Sequence, residues 1–457
     1  MQEQDLRPTV DRLRLAELHA REEKRFVAEH PKSGELFERA QRSMPGGVPM
    51  SWMAKWPGAY PVFVERAEGA HFTCVDGHDY IDLCLGDTGA MTGHSPAITV
   101  EAVREQLGAG ITYMLPTADA AIVSEELQRR FGLPYWQYTL TATDANRHVI
   151  RYARHVTGRS KILVFDYCYH GSVDEAFATM DSSGRTVNRR GNIGAPVDTS
   201  ETTVVVEFND IPALEAALAT GDIACVLAEP AMTNIGIVLP DPGFHEALRS
   251  LTRQHGTLLV IDETHTICAG PGGYTRAHNL DPDVLVIGKT IGGGIPSGTF
   301  GMTAELVERI KRSIELEDID VGGVGGTLAG NALSLAAIRA TLTGVLTDEA
   351  FERMLPLGQR WAYGVQQALD AHHVPWHVTP LGCRAEYAFS ALPPRNGADA
   401  AASDDFELQQ FLHLYALNRG ILLTPFHNMA LMSPATTEAD VDAHSAMFAE
   451  CVAELFA

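Results

Sequence analysis

The stretch "LVIGKTIGGG", Leu285–Gly294, sets a single lysine between an apolar run and three glycines, and its reading decides the fold. Gly288-Lys289-Thr290 matches the end of the phosphate-binding pattern G-x-x-x-x-G-K-[ST]. The spacing rejects that reading, because Asp283 stands where the first glycine belongs and the glycines follow the lysine. In a P-loop the lysine opens a helix after a flexible loop, whereas "DVLVIG" (Asp283–Gly288) reads as a short buried strand running straight into Lys289. Lys289 therefore sits at a strand's carboxyl end, where open α/β sheets bind ligands. Apolar surroundings penalise an ammonium ion and a neutral amine attacks carbonyls, so a Schiff-base lysine is one reading. Gly292, Gly293 and Gly294 would then let the backbone pass close to a bulky adduct. The other reading is a plain turn between two strands.

Outward from Lys289 the pattern is regular. Apolar runs "KILVFDY", "TTVVVEF", "ACVLAE", "TLLVID", "DVLVIG" and "GTFGMT" alternate with helical segments such as "PALEAALA" and "FHEALRSLTRQHG". Continuous apolar strands interleaved with helices predict a mainly parallel sheet covered on both faces. Before it, "VFVERAEGAHFTCVDGHDYIDL" predicts a small antiparallel unit, and the charged N-terminus predicts an exposed helical arm broken near "HPKSG" and "MPGGVP". The expected division is an arm and small β unit over 1–95, a large α/β domain over 96–330, and a C-terminal lobe over 331–457.

The chain of 457 residues carries 35 basic and 58 acidic side chains, a formal charge of −23 that repels nucleic acid and anionic membranes. No apolar segment approaches bilayer-spanning length and the N-terminus is too charged for a secretory signal, so a cytoplasmic protein with no membrane or nucleic-acid partner is expected. Seven widely spaced cysteines, never in C-x-x-C, argue against a disulfide framework and against a metal site.

Three further pieces surround Lys289. "TLLVID" ends at Asp262, a costly place for a carboxylate unless something pairs with it; a pyridinium nitrogen would do so, and a turn or helix cap is the alternative. Thr141, Ala142 and Thr143 precede a helix whose amino terminus could offer amides to a phosphate, although the same residues are ordinary caps. In "YCYHG", Tyr169 and His170 could present an aromatic face to a flat ring, or pack in the core.

Together these pieces resemble the class III aminotransferases of pyridoxal-phosphate fold type I, with glutamate-1-semialdehyde aminomutases and β-amino-acid or ω-aminotransferases as the nearest branches. "MPGGV", "HVTGRSKILVF", "CYHG", "AEPAMTNIGIVLP", "VIDE" and "GKTIGGGIPSGTFG" fall in the family's order over most of the chain. The resemblance implies an α/β fold in which a large domain with a mainly parallel sheet is joined by a smaller α+β lobe built from the N- and C-terminal segments. It implies pyridoxal 5'-phosphate as cofactor, Lys289 as the Schiff-base lysine and proton shuttle, and Asp262 as partner of the ring nitrogen. Ala142 and Thr143 would cradle the phosphate, Tyr169 would stack on the ring with His170 beside it, and Glu229 and Asn234 would lie near the cofactor's hydroxyl side. Thr327, in "GGTLAGN", would reach the phosphate of a neighbouring subunit, which implies a homodimer with shared active sites. Thr264 and His265, in "DETHT", depart from the family's usual aliphatic pair and place polar groups near the ring's other face.

The expected activity is transfer of an amino group from an amine, β-amino or ω-amino substrate to a keto acid; an ammonia-lyase, phospho-lyase or aminomutase is the alternative on the same residues. The two stretches in which β-amino-acid relatives carry substrate-binding arginines read "VPMSWMAKWPG" and "LLTPFHNMALMSP", with no arginine. Lys55, Arg276, Arg384 or His427 would have to compensate. Trp52, Met53 and Trp56 point instead to an apolar wall and to substrates other than ordinary α-amino acids.

Overall fold

The computed structural model describes residues 10–194, 197–314 and 322–457, so the first nine residues of the expected arm lie outside the described residues. Two compact units are present. The larger comprises Ala97–Asp348 and Pro394–Ala402, and the smaller comprises Glu349–Pro393, Ser403–Ala457 and the described part of Met1–Pro96. The helix Ala332–Gly344, expected in the C-terminal lobe, lies in the larger unit. There Leu335, Ala336, Ile338 and Leu342 are buried as it packs on the helices Ala97–Ala109 and Ala118–Phe131.

The larger unit is built on a seven-stranded sheet: β1 (Tyr135–Thr139), β2 (Lys161–Phe165), β3 (Thr203–Val206), β4 (Ile223–Ala228), β5 (Leu258–Asp262), β6 (Val284–Gly288) and β7 (Gly298–Met302), in the order β1-β7-β6-β5-β4-β2-β3. From β6 to β3 every pairing is parallel, whereas β7 runs against both neighbours. The link from Gly288 to Gly298 is too short for a helical crossover, which allows only the antiparallel return. Strand β1, "YWQYT", forms the edge beside β7 and is missing from the sequence-based set because polar residues interrupt it and its outer positions are exposed.

Both faces of the sheet are covered. On one side Val164, Val260, Val286 and Phe300 pack with Ala145, Val149 and Ala153 of the helix Ala142–Thr157. On the other, Leu163, Phe165, Leu259 and Ile261 pack with Leu214, Leu218, Leu248 and Leu251 from two further helices. Each such side chain contributes about 1.5–3 kcal/mol when fully buried, and alternate residues of one strand serve opposite faces, hence the unbroken apolar runs.

In the smaller unit, the strands Val64–Glu68, His71–Cys74 and Asp79–Asp82 form the expected antiparallel set, joined in parallel by Ile421–Leu422 from near the other end of the chain. A second sheet joins His377–Leu381, Arg384–Ala388 and Met429–Leu431. The N-terminal helix Arg12–Glu29 is amphipathic: most of its residues are exposed, while Leu15, Leu18, Glu22 and Phe26 are buried, Phe26 in a cluster with Phe72, Tyr80 and Leu414. Pro31, expected to mark a break, starts the next helix, Pro31–Ala40, where its missing amide costs nothing. No helix among the described residues is long and apolar enough to cross a membrane. All seven cysteines are buried and none forms a disulfide.

Candidate active site

Parallel pairing of β5 with β6 sets Asp262 beside Val286, so the last residue of β5 and the lysine that follows β6 share the carboxyl edge of the sheet. Lys289 is half-buried and has a φ of 51°. A non-glycine residue in that left-handed region costs roughly 1–2 kcal/mol per residue, so its direction is imposed by the surrounding fold. The helix Ala142–Thr157 begins against the same edge. A Cβ on Gly288 would lie 3.0 Å from the Ala142 amide nitrogen, and one on Gly298 would lie 2.4 Å from the Thr141 backbone, so glycine on two neighbouring strands seats the helix amino terminus there.

The helix starts at Ala142, two residues earlier than the sequence reading, which set Thr141, Ala142 and Thr143 before it. Thr141 is the cap, accepting the Asp144 amide at 3.2 Å, and Ala142 and Thr143 already lie in the first turn, where a helix supplies no acceptor for their amides. Gly171 closes over this turn. Its φ is 78°, and a Cβ there would meet Thr143 Oγ1 at 2.0 Å; the Ser172 amide donates to the same hydroxyl at 3.1 Å.

Asp262 is buried at the centre. Its Oδ2 accepts from Asn146 Nδ2 at 2.9 Å and contacts His170 Nδ1 at 3.0 Å, while Oδ1 accepts the Thr264 amide at 3.1 Å. Burial alone would raise its carboxyl pKa, but the bonds from His170, Thr264 and Asn146 more than offset this and hold it at about 2. Burial likewise disfavours the His170 cation, yet the Cys168 sulfur and the Asp262 carboxylate outweigh it and raise the imidazolium to about 10. The result is an ionised carboxylate inside an apolar sheet, with a histidine as its cationic neighbour. His170 therefore pins the carboxylate. The neighbouring Tyr169 ring meets Phe177 edge-on at 6.2 Å.

Glu229 follows β4 and its Oε2 accepts from the Thr233 hydroxyl, and Asn234 Nδ2 donates to the Tyr167 carbonyl at 2.8 Å, so the β4 loop is tied to the β2 loop. Thr327 is exposed in the turn before Asn331. Gly293, with φ 59°, packs against Thr99 and Thr341: a Cβ would meet Thr341 Oγ1 at 2.5 Å. Gly293 is thus fitted closely to the two neighbouring helices. Of the cations considered for a substrate carboxylate, Arg384 is buried against Glu386 at 3.4 Å, His427 touches the same carboxylate at 3.1 Å, and Arg276 donates to the Arg129 carbonyl at 3.0 Å. Lys55 stays exposed, 5.6 Å from the Phe426 ring centroid.

Sequence reasoning missed two residues. Asn146 neighbours the apolar stripe of its helix and is fully buried, and a buried amide one turn from a helix start was its signal. His265 was noticed as a departure but not as a neighbour of the lysine: its Nε2 lies 2.8 Å from Lys289 Nζ. Among the described residues no group of three or more His, Cys, Asp or Glu side chains could hold a metal.

The profile of the aminotransferase class-III family matches residues 52–452. The chain belongs to that family. A lysine-to-alanine variant of glutamate-1-semialdehyde-aminomutase from Pseudomonas aeruginosa PAO1, in complex with PMP, is 48% identical with a TM-score of 0.96, covering 98% of this chain and 99% of that one. A glutamate-1-semialdehyde 2,1-aminomutase of Neisseria meningitidis is 35% identical over 85% of this chain and 91% of its own. An omega-transaminase from Sphaerobacter thermophilus is 30% identical with a TM-score of 0.84, covering 93% and 97%. The fold is that of the type I pyridoxal-phosphate enzymes and pyridoxal phosphate is the cofactor. The residues present suit it: an ionised buried carboxylate for a ring nitrogen, a half-buried lysine for a carbonyl, and a helix amino terminus for a phosphate.

Proposed function

We propose that this class III enzyme is an aminomutase acting on a small amino aldehyde of the glutamate-1-semialdehyde type. The observation that carries the reading is the near-complete match to the Pseudomonas aeruginosa aminomutase at 48% identity, against 30% for the omega-transaminase. Amino transfer to a separate keto acid, expected from the sequence, uses the same residues and differs in its balance. An aminomutase returns to carbon 1 the amino group it removed from carbon 2, so the equation closes within one molecule and no keto acid is consumed.

The cofactor, when bound, supplies a carbonyl that joins the amino nitrogen and a ring that takes up the electron pair left when a carbon–hydrogen bond breaks. Lys289 would hold that carbonyl between turnovers and, when released, would carry the proton from one carbon to the next at its Nζ. Asp262, kept ionised by Asn146 and His170, holds the ring nitrogen protonated. Ala142 and Thr143 would bind the phosphate through first-turn amides, and Tyr169, Thr264 and Glu229 would line the ring. Thr327 reaches a second copy of the chain in a homodimer. Its exposure, together with that of Ile111, Met114, Leu115 and Leu328 in the same unit, supports such a partner.

The test is to supply glutamate 1-semialdehyde with no keto acid while following the visible spectrum and the products. Accumulation of the isomer bearing the amino group on carbon 1 is expected. If no isomer forms, and a spectrum bleached by amine recovers only with pyruvate or 2-oxoglutarate, the aminotransferase reading replaces this one.

A further inference from the structure

The loop after β5 commits its acidic side chains away from the lysine. Asp262 is held by Asn146 and His170, and the buried Glu263 carboxylate accepts from the Thr266 hydroxyl at 2.5 Å and from the Tyr274 and Thr275 amides at 3.1 and 2.5 Å. His265 faces Lys289. It precedes the short turn Thr266–Ala269, and its Nε2 stands 2.8 Å from Lys289 Nζ, a full hydrogen-bond contact. An ammonium ion has three donors and no acceptor, so whenever Lys289 carries its extra proton the imidazole is the accepting partner and must be neutral at Nε2. A hydrogen bond accepted from a charged group favours the charged form. An aliphatic residue, usual here in the family, cannot do this.

We propose that His265 is a further catalytic residue, whose Nε2 accepts from Lys289 and stabilises the lysine nitrogen each time it holds the proton taken from a substrate carbon. The step is balanced: the carbon–hydrogen bond breaks, its electron pair remains on the carbon side, and a nitrogen–hydrogen bond forms at Lys289. The reverse transfer returns the proton, and His265 changes no bond. The contact also fixes the direction of Nζ, which complements the imposed backbone geometry at position 289. This rests on Lys289 being the cofactor lysine and does not depend on whether the site performs mutase or transfer chemistry.

The test uses the full-length, cofactor-loaded protein and the variants His265→Leu and His265→Gln. The first readout is the pH at which the visible band titrates, which needs no substrate. Leucine removes the acceptor and is expected to lower that pH by about one unit, whereas the glutamine carbonyl oxygen still accepts and keeps most of it. The second is the rate at which solvent deuterium enters glutamate 1-semialdehyde, expected to fall about 10- to 100-fold in His265→Leu and only a few-fold in His265→Gln. Should the leucine variant fail to load cofactor, His265→Met makes the same comparison. An unchanged or raised titration pH in the apolar variant, or equal losses in the glutamine and apolar variants, overturns the proposal. A visible band that survives Lys289→Ala would instead overturn the assignment of the lysine itself.

Discussion

Each unit of the chain buries a carboxylate against a histidine, and the two settings differ in what else is present. In the smaller unit Glu386 meets both Arg384 and His427, and its carboxyl is held low by those two neighbours despite burial. Beyond it Gln409 and His413 both reach Asn428, and His444 packs on Trp361 and Phe448. In the larger unit Asp262 meets an amide side chain, a backbone amide and His170, but no arginine or lysine. A carboxylate closed by a guanidinium is part of the architecture; one held ionised by neutral donors and a histidine at a sheet's carboxyl edge is prepared for a cationic ligand. The contrast explains why neither Arg384 nor His427 can be counted as a ready substrate clamp, although sequence position alone suggested them.

The sharpest break in this comparison is Lys289→Ala. It should abolish the visible band and lower turnover by about 10⁴-fold or more, while chemical denaturation of the cofactor-free protein shows stability within about 1 kcal/mol of the parent, since Lys289 is only half-buried. The counterpart in the smaller unit is Arg384→Met. It leaves Glu386 buried with His427 alone and should cost roughly 3–5 kcal/mol in urea unfolding, with the visible band intact and KM within about twofold of the parent. A KM rising ten- to a hundredfold with little loss of stability would move Arg384 from architecture to substrate binding.

Much of this contrast was legible before any coordinates. Asp262 and Lys289 stand out because polar residues close two unbroken apolar runs, and the alternation of such runs with helices fixes a covered parallel sheet. The amino terminus of the helix Ala142–Thr157 was legible from its small hydroxyl residues. What local pattern could not carry were pairings between distant segments: Asn146 and His170 on Asp262, separated from it by 116 and 92 positions, and His265 on Lys289, separated by 24. The partners of the buried stripe on the N-terminal helix were hidden for the same reason, because Phe26 packs near residues 72, 80 and 414. Strand β1 was lost to its edge position, where polar outward side chains dilute the apolar signal.

Acid and base should separate the two regions. Burial pulls His413 down to about 4 and His444 to about 3, so both are neutral in the fold and near 6.5 when unfolded. Their stabilising contribution is therefore complete above about pH 6.5 and is lost as pH falls from there toward 4 and 3, by a few kcal/mol. His170 has the opposite sign: raised to about 10, it contributes fully below about pH 6.5 and loses that contribution as pH climbs toward 10. Trp52, Trp56, Trp361 and Trp376 lie in the smaller unit, whereas Asp262 and Lys289, the proposed cofactor residues, lie in the larger. Tryptophan emission should thus weaken first in acid unfolding and the visible band first in base. His444→Phe, next to Phe448, should flatten the acid limb without touching the alkaline one.

The smallest effect tests how Asp262 is held. Asn146 donates one amide to Asp262 Oδ2 at 2.9 Å and to the His170 carbonyl at 3.1 Å, so it fixes the carboxylate and the loop that carries its histidine together. Asn146→Ala leaves His170 and the Thr264 amide in place, so Asp262 should stay ionised while losing one donor, at about 1–2 kcal/mol. A loss of that size at a supporting residue corresponds to roughly ten-fold weaker cofactor binding, measured by the concentration of pyridoxal phosphate needed to restore the visible band of stripped protein. The turnover of the fully loaded variant should fall less than its affinity, because the proposed partner of the ring nitrogen, Asp262, would still be a charged carboxylate. If turnover falls by about 10³-fold at saturating cofactor, as expected for losing an electrostatic group outright, then Asn146 rather than His170 is what keeps Asp262 ionised, and the order of importance among its partners reverses.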